Sequence, residues 1–226
     1  MIIRAFSFVA SWYSRGFNQV CLCQYESRTL VLIPLLAFAL AANAQERATD
    51  PLGPVAKCIN SDGFQYLTKN RLPVTSTSRP VVTSKGQMVV STADGYRLMV
   101  YRKSSAPLVN LKIEQSAPGR FADDRLVLID QMKGMAATSK SPNQVSLDTS
   151  TQNGIEVLAM NNADIDHASG VISLYTLLDA SHDTVATAYV LNQRPEVREY
   201  ASNAEYAALR DRFIALLSAC MSRSAK

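Results

Sequence analysis

From residue 86 onward, apolar and polar positions alternate with a period of two, and this pattern gives way twice to the wider spacing of a helix. In VNLKIE (109–114), Val109, Leu111 and Ile113 fall on one side and Asn110, Lys112 and Glu114 on the other, which predicts a half-buried strand. Upstream, GQMVVST (86–92) and YRLMVYRK (96–103) flank Ala93-Asp94-Gly95. An Asp-Gly step between two period-2 runs predicts a hairpin. Residues 144–149 and 155–160 flank Asn153-Gly154 in the same way, and VISLYTLL (171–178) and TVATAYVLN (184–192) flank the polar tip DASHD (179–183).

Both interruptions read as helices. After the Pro118-Gly119 break, Phe121, Leu128, Met132 and Met135 recur at helical spacing over 121–137, although the short run 126–129 alone also reads as a strand. Ser202-Asn203-Ala204-Glu205 is a capping box, and Tyr206, Leu209, Phe213, Leu216, Leu217 and Cys220 then form one apolar stripe. Residues 45–85 are interrupted by Pro51, Pro54, Pro73 and Pro80 and by TSTS at 75–78. They predict a short helix near 55–61 followed by extended chain. The order is three strands, a helix, four strands as two hairpins, and a closing helix. This is an α+β fold with a mostly antiparallel sheet of about six to seven strands covered by helices. It forms a single main domain over 86–226, with 45–85 as an N-terminal segment tied to it.

Composition agrees with one globular domain. The chain has 226 residues, 47% hydrophobic and 19% charged, which leaves out disorder, collagen and coiled coil. Its longest apolar block, LVLIPLLAFALAA (30–42), follows Arg28 and runs into Ala42-Asn43-Ala44, a small-x-small cleavage pattern. The block is shorter than the ~20 residues that span a bilayer. Residues 1–44 therefore read as a signal peptide with a long n-region, and the protein as periplasmic or secreted with no stable membrane anchor. Cleavage after Ala44 removes Arg4, Arg15 and Arg28 against Glu26, which takes most of the meaning from the formal charge of +4. The remainder has no Lys/Arg-dense run with interleaved aromatics, so nucleic acid is not an expected partner. Cys21 and Cys23 leave with the leader. Cys58 and Cys220 remain as an even pair, which in an oxidising compartment predicts a disulfide.

The element order, with Val185-Ala186-Thr187-Ala188-Tyr189-Val190-Leu191 leading through Tyr200 and Glu205-Tyr206 to Phe213, resembles the Mog1/PsbP-like fold, an antiparallel sheet between helices. The Leu72-Pro73 step resembles the Leu-Pro that precedes that fold's first strand; the Trp that commonly follows it is absent. The resemblance covers residues 60–220 as topology. It implies a non-enzymatic accessory, chaperone or regulatory protein and carries over no functional residue.

Candidate chemistry is sparse. The two histidines sit beside acids, in Asp164-Ile165-Asp166-His167 and in Asp179-Ala180-Ser181-His182-Asp183. A strand over 171–178 separates the clusters by roughly 25–30 Å, too far for one metal or acid–base site. No G-x-S-x-G, S-x-x-K, phosphate loop or dinucleotide fingerprint is present. No catalytic residue, metal ligand or cofactor is nominated. Arg97, Arg102 and Lys103 make a basic face for a protein partner, and Asp164, Asp166, His167, His182 and Asp183 make polar loop tips for the same purpose. The leading expectation is a non-catalytic exported protein-binding domain, either an envelope accessory factor or an immunity-type inhibitor of an exported toxin. One alternative is a small-molecule or lipid binder with Tyr96, Tyr101, Tyr175 and Tyr189 on a sheet face. The other is a hydrolase using acids such as Asp123-Asp124 or Glu196 and Glu199, where the bland role of Asp123-Asp124 is to stabilise a helix dipole. Export predicts that protein recovered from the cell envelope begins at Gln45; N-terminal sequencing that finds an intact residue 1 there would count against cleavage.

Overall fold

The computed structural model describes residues 52–72, 77–138, 147–161, 165–166 and 170–223. A short helix, α1 (Gly53–Ile59), starts with Pro54 in its first turn, where a missing N–H leaves no helical bond unmade. Four strands follow: β1 (Gln65–Leu72), β2 (Thr77–Thr83), β3 (Gly86–Tyr101) and β4 (Val109–Ser116). Helix α2 (Phe121–Thr138) leads to β5 (Leu147–Gln152), β6 (Ile155–Asn161), β7 (Val171–Asp179) and β8 (Thr184–Leu191). The last helix is α3 (Asn203–Arg223). The fold is α+β: eight antiparallel strands form one sheet in the order β1-β3-β4-β8-β7-β6-β5, and β2 pairs with β3.

Several predicted elements form where the pattern placed them. Asn153 and Gly154 take positive φ values of 53° and 80° in the β5–β6 turn, as a tight hairpin requires. Run 126–129 lies within α2 and is helical. At the start of α3, the Ser202 hydroxyl accepts the Glu205 N–H at 3.2 Å, the first half of the capping box, while the Glu205 carboxylate reaches one residue further back and accepts the Ala201 N–H at 2.7 Å.

The hairpin expected at Ala93-Asp94-Gly95 does not exist. Residues 86–101 are one continuous strand, and the polar triplet holds a β-bulge where the β3–β4 register shifts between Thr92 and Asp94. Asp94 is buried and its carboxylate accepts the Gly95 N–H at 2.8 Å, so the residues that resemble a turn stabilise an extra residue instead. The chain expected to be merely extended before residue 86 supplies the two missing partners. β1 and β2 lie end to end along the edge of β3 opposite β4, with Leu72 across from Gly95 and Thr77 across from Thr92. The actual hairpin turn is Ser84-Lys85. There the Thr83 hydroxyl accepts the Lys85 N–H and donates to the Gly86 carbonyl.

The bulge reverses which face the even-numbered residues of β3 occupy. Beyond it, Tyr96, Leu98 and Val100 join Leu111, Ile113, Ala186, Ala188 and Val190 in a core covered by α1 and α3. Before it, Val90 and its neighbour Val81 face α2, with Leu128, Met132, Leu158, Leu178 and Val185. Phe213 of α3 meets Phe64 edge-on at 5.3 Å, and Tyr206 shares a 2.7 Å hydrogen bond with Ser173. Cys58 and Cys220 form the disulfide, joining α1 to α3 across a separation of 162 residues. A loop of that length corresponds to about 5 kcal/mol in the chain-entropy model, an upper bound. The Cys58→Ser/Cys220→Ser double variant should unfold at a clearly lower urea concentration than the oxidised protein, and reductant should shift only the latter. Equal midpoints would contradict the role given to the bridge.

Candidate functional site

The nominated polar residues are distributed over several places. Arg102 lies 3.9 Å from Glu199, and the Lys103 N–H is donated to Glu199 at 3.1 Å. Next to them Arg198 pairs with the exposed Asp166 at 3.3 Å. Arg102, Lys103 and Asp166 thus gather around Arg198 and Glu199, just before α3. His182 and Asp183 occupy the β7–β8 turn at the other end of the nine-residue strand β7. His182 Nδ1 lies 2.5 Å from Asp179, and the Asp183 carbonyl accepts the Ser116 N–H. Arg97 is exposed on the sheet face opposite Tyr96 and Leu98. Asp164 and His167 lie outside the described residues. The tyrosines divide as well: Tyr96 and Tyr175 are buried beneath α1 and α3, while Tyr189 and Tyr101 alternate onto the other face. Of the acids, Asp123 is exposed and paired with Arg120, while Asp124 is fully buried.

A different feature stands out where β2 and the first half of β3 overhang β4. This two-stranded ribbon is tied to the sheet and to α2 by three carboxylates. Glu114 on β4 accepts the Thr92 hydroxyl at 2.9 Å and pairs with Lys112 at 2.7 Å and Arg79 at 3.3 Å. Burial works to raise its pKa, but the two cations outweigh burial and hold the carboxyl below its usual range. Asp124 accepts the Ser91 N–H at 3.3 Å, and there burial prevails and raises the pKa. Asp130 accepts both the N–H and the hydroxyl of Ser84, at 2.8 and 2.7 Å, which holds its carboxyl below the usual range.

The two ties to α2 are unequally spaced along the two elements. Six helical residues from Asp124 to Asp130 advance about 9 Å. The extended chain from Gly86 to Ser91 advances about 17 Å. Between the ties Val81 and Val90 pack on the helix, and along the β3 side ribbon and helix border a groove of ≈490 Å³. Its apolar wall is Met88 and Val89 on β3 and Leu126 and Val127 on α2, with Lys85 and Asp130 at the hairpin end and Arg120 and Asp123 at the other. Leu126 is 61% exposed, Val89 44% and Met88 40%; on the ribbon Val82 reaches 76%. None of the residues nominated for partner binding lines this groove, and of the acids named for a hydrolase only Asp123 does. The missed signal was local: three consecutive apolar residues, Met88-Val89-Val90, in a strand that can bury only alternate ones, and Leu126 off the apolar stripe of its helix.

No protein-family model, curated protein or solved structure matches the chain. Glu114→Gln should cost about 3 kcal/mol at pH 7, the low end for a broken buried ion pair, because Arg79 and Lys112 keep some contact with water. A depressed carboxyl pKa contributes stability above the ordinary Glu value of about 4.3, and that stability disappears as pH falls through the lower folded value. Urea midpoints of the two proteins should therefore converge below pH 4. A gap that persists at low pH would show that packing, not charge, supports Glu114.

Proposed function

We propose that this chain is an exported protein-binding domain, an envelope accessory factor or an immunity-type inhibitor, and that it grips its partner in the groove between α2 and the β2–β3 ribbon. The observation that carries the reading is the cluster of large apolar side chains left exposed there: of the six exposed large apolar residues among the described residues, Met88, Val89 and Leu126 line the groove and Val82 lies on the same ribbon, while only Val171 and Tyr189 lie elsewhere. A contiguous exposed apolar patch with a charged rim is the usual mark of a contact surface. Covering what Met88, Val89 and Leu126 leave exposed would contribute about 0.6–1.8 kcal/mol each, since burying a whole side chain of this size contributes about 1.5–3 kcal/mol.

Export is supported by the Cys58–Cys220 disulfide, which suits an oxidising compartment. Among the described residues, no helix is long and apolar enough to cross a membrane. Binding by the groove also agrees with the separation of Tyr96 and Tyr175 from Tyr101 and Tyr189 onto two faces, so these four do not line one ligand site.

A photo-crosslinking residue at position 126 should yield one discrete protein adduct in envelope extract. Val89→Asp on the same background should reduce that adduct at least fivefold. Because Val89 is exposed and belongs to neither core, the melting temperature should stay within about 2 °C, as for most surface substitutions. The absence of any adduct, or an adduct indifferent to Val89→Asp, would overturn the groove as the contact. An adduct formed only from position 189 would move binding to the exposed end of the sheet face that carries Tyr189.

A further inference from the structure

Resting on the protein-binding reading of the same groove, we propose that the partner enters as a single extended peptide segment that adds a strand to the open inner edge of β3, with an acidic residue beside Lys85. The argument begins with which backbone groups face where. Thr83 and Gly86 flank the two-residue turn and pair across it, so they exchange both of their backbone hydrogen bonds. In an antiparallel ladder such pairs alternate with pairs whose N–H and C=O point away from each other. Met88 and Val90 therefore bond to β2, opposite Val81 and Arg79. Gln87, Val89 and Ser91 aim their N–H and C=O away from β2.

Ser91 verifies the phase. Its N–H goes to Asp124, and its carbonyl accepts the Ala117 N–H at 2.9 Å, so both groups point to the side where β4 and α2 lie. Gln87 and Val89 continue along that same edge beyond the end of β4. Among the described residues, no strand, carboxylate or hydroxyl meets their four backbone groups. These groups open beside the groove, and Met88 and Val89, which point to opposite faces of the ribbon, both line it. A cavity bordered by two successive side chains of one strand borders that strand's edge, not one of its faces.

The chemistry of the site thus specifies its occupant. Two outward residues separated by one strand repeat, about 6.6 Å, match the donor and acceptor spacing of an extended chain. Leu126 and Val127 offer an apolar wall to the side chains of that chain on one face. Charge complementarity sets one end of the segment. Arg120 and Asp123 neutralise each other at 2.8 Å. The Asp130 carboxylate is held against Ser84 by hydrogen bonds and acts on Lys85 only from beyond ion-pair distance, so the exposed Lys85 ammonium stays open to a closer carboxylate. An added strand that carries a carboxylate where it passes the hairpin tip meets that charge.

The test uses protein purified after expression of the full chain, 15N-labelled, and peptides selected on it from a phage-displayed random dodecapeptide library. In the free protein, the Gln87 and Val89 amides should exchange with solvent at least a hundredfold faster than those of Met88 and Val90. Selected peptides should alternate apolar residues with an acidic residue near one end and should slow both outward amides at least tenfold. Val89→Pro deletes an outward N–H but no β2 bond, and it should weaken those peptides at least tenfold. Lys85→Glu should abolish the preference for the acidic residue; this variant carries the test if Val89→Pro does not fold. Outward amides already protected in the free protein, a library without enrichment, or peptides that leave both amides unprotected would overturn strand addition. If any of these results accompanied a groove-dependent adduct from position 126, binding at the groove would stand and only its strand mode would fall.

Discussion

Strand β3 runs for 16 residues, about 50 Å of extended chain, in a sheet whose other strands have six to nine. Such a strand cannot serve a single core, because its two halves face different surroundings. The extra residue near Ala93 resolves this. A one-residue shift moves every following side chain to the opposite face. Tyr96, Leu98 and Val100 can therefore lie beneath α3 while Val90, of the same parity, lies beneath α2. Without the bulge, one of these sets would face solvent. The overhang that results beyond β4 also explains why α2 is needed: a two-stranded ribbon alone is marginally stable in water, and the helix supplies its third layer.

Charged groups, more than apolar packing, fix how the ribbon lies on that helix. The apolar contact between ribbon and helix permits sliding, because Val81 and Val90 meet a long helical surface. Carboxylates do not permit it. Asp124 takes the backbone N–H that a further strand would have accepted at Ser91, and Asp130 holds the hairpin tip at Ser84. Glu114 anchors the root to Thr92 and Arg79. Buried ion pairs add little net stability compared with apolar substitutes, and their best-attested use is to select one register over its neighbours. The groove lies between those two ties, bordered by Met88 and Val89 on the strand and Leu126 and Val127 on the helix.

These relations determine what the sequence could reveal. The β5–β6 and β7–β8 hairpins, α3 with its capping box, and the Cys58–Cys220 pair were legible because each depends on residues within one element or on a simple parity count. Asp94-Gly95 misled because a turn and a bulge draw on the same residue types, and only the strands on either side distinguish them. β1 and β2 were hidden by Pro80 and by a run of Ser and Thr, which read only as extended chain until their partner along β3 is known. The groove was the least legible feature. Leu126 and Met88-Val89 each carry a local hint, an apolar residue outside the buried pattern, but that they face one groove is a tertiary relation across more than thirty residues. The polar tips around His182 and Asp166 attracted notice by residue type, yet the structure commits them to local pairing with Asp179 and Arg198.

The ribbon's two edges are treated in opposite ways, and this asymmetry connects fold to use. Along the outer edge, Pro80 occupies a position whose backbone points away from β3, so the ring takes the place of an exposed donor and blocks further pairing. The inner edge at Gln87 and Val89 has no such block. Its protection is geometric: α2 forms a wall beside it, so the flat edge of another sheet cannot approach. An edge closed to sheets but open to a single chain avoids indiscriminate aggregation and keeps its backbone groups available. Removing Pro80 would expose a second edge without that wall, which is why the proline belongs on β2 and not on β3.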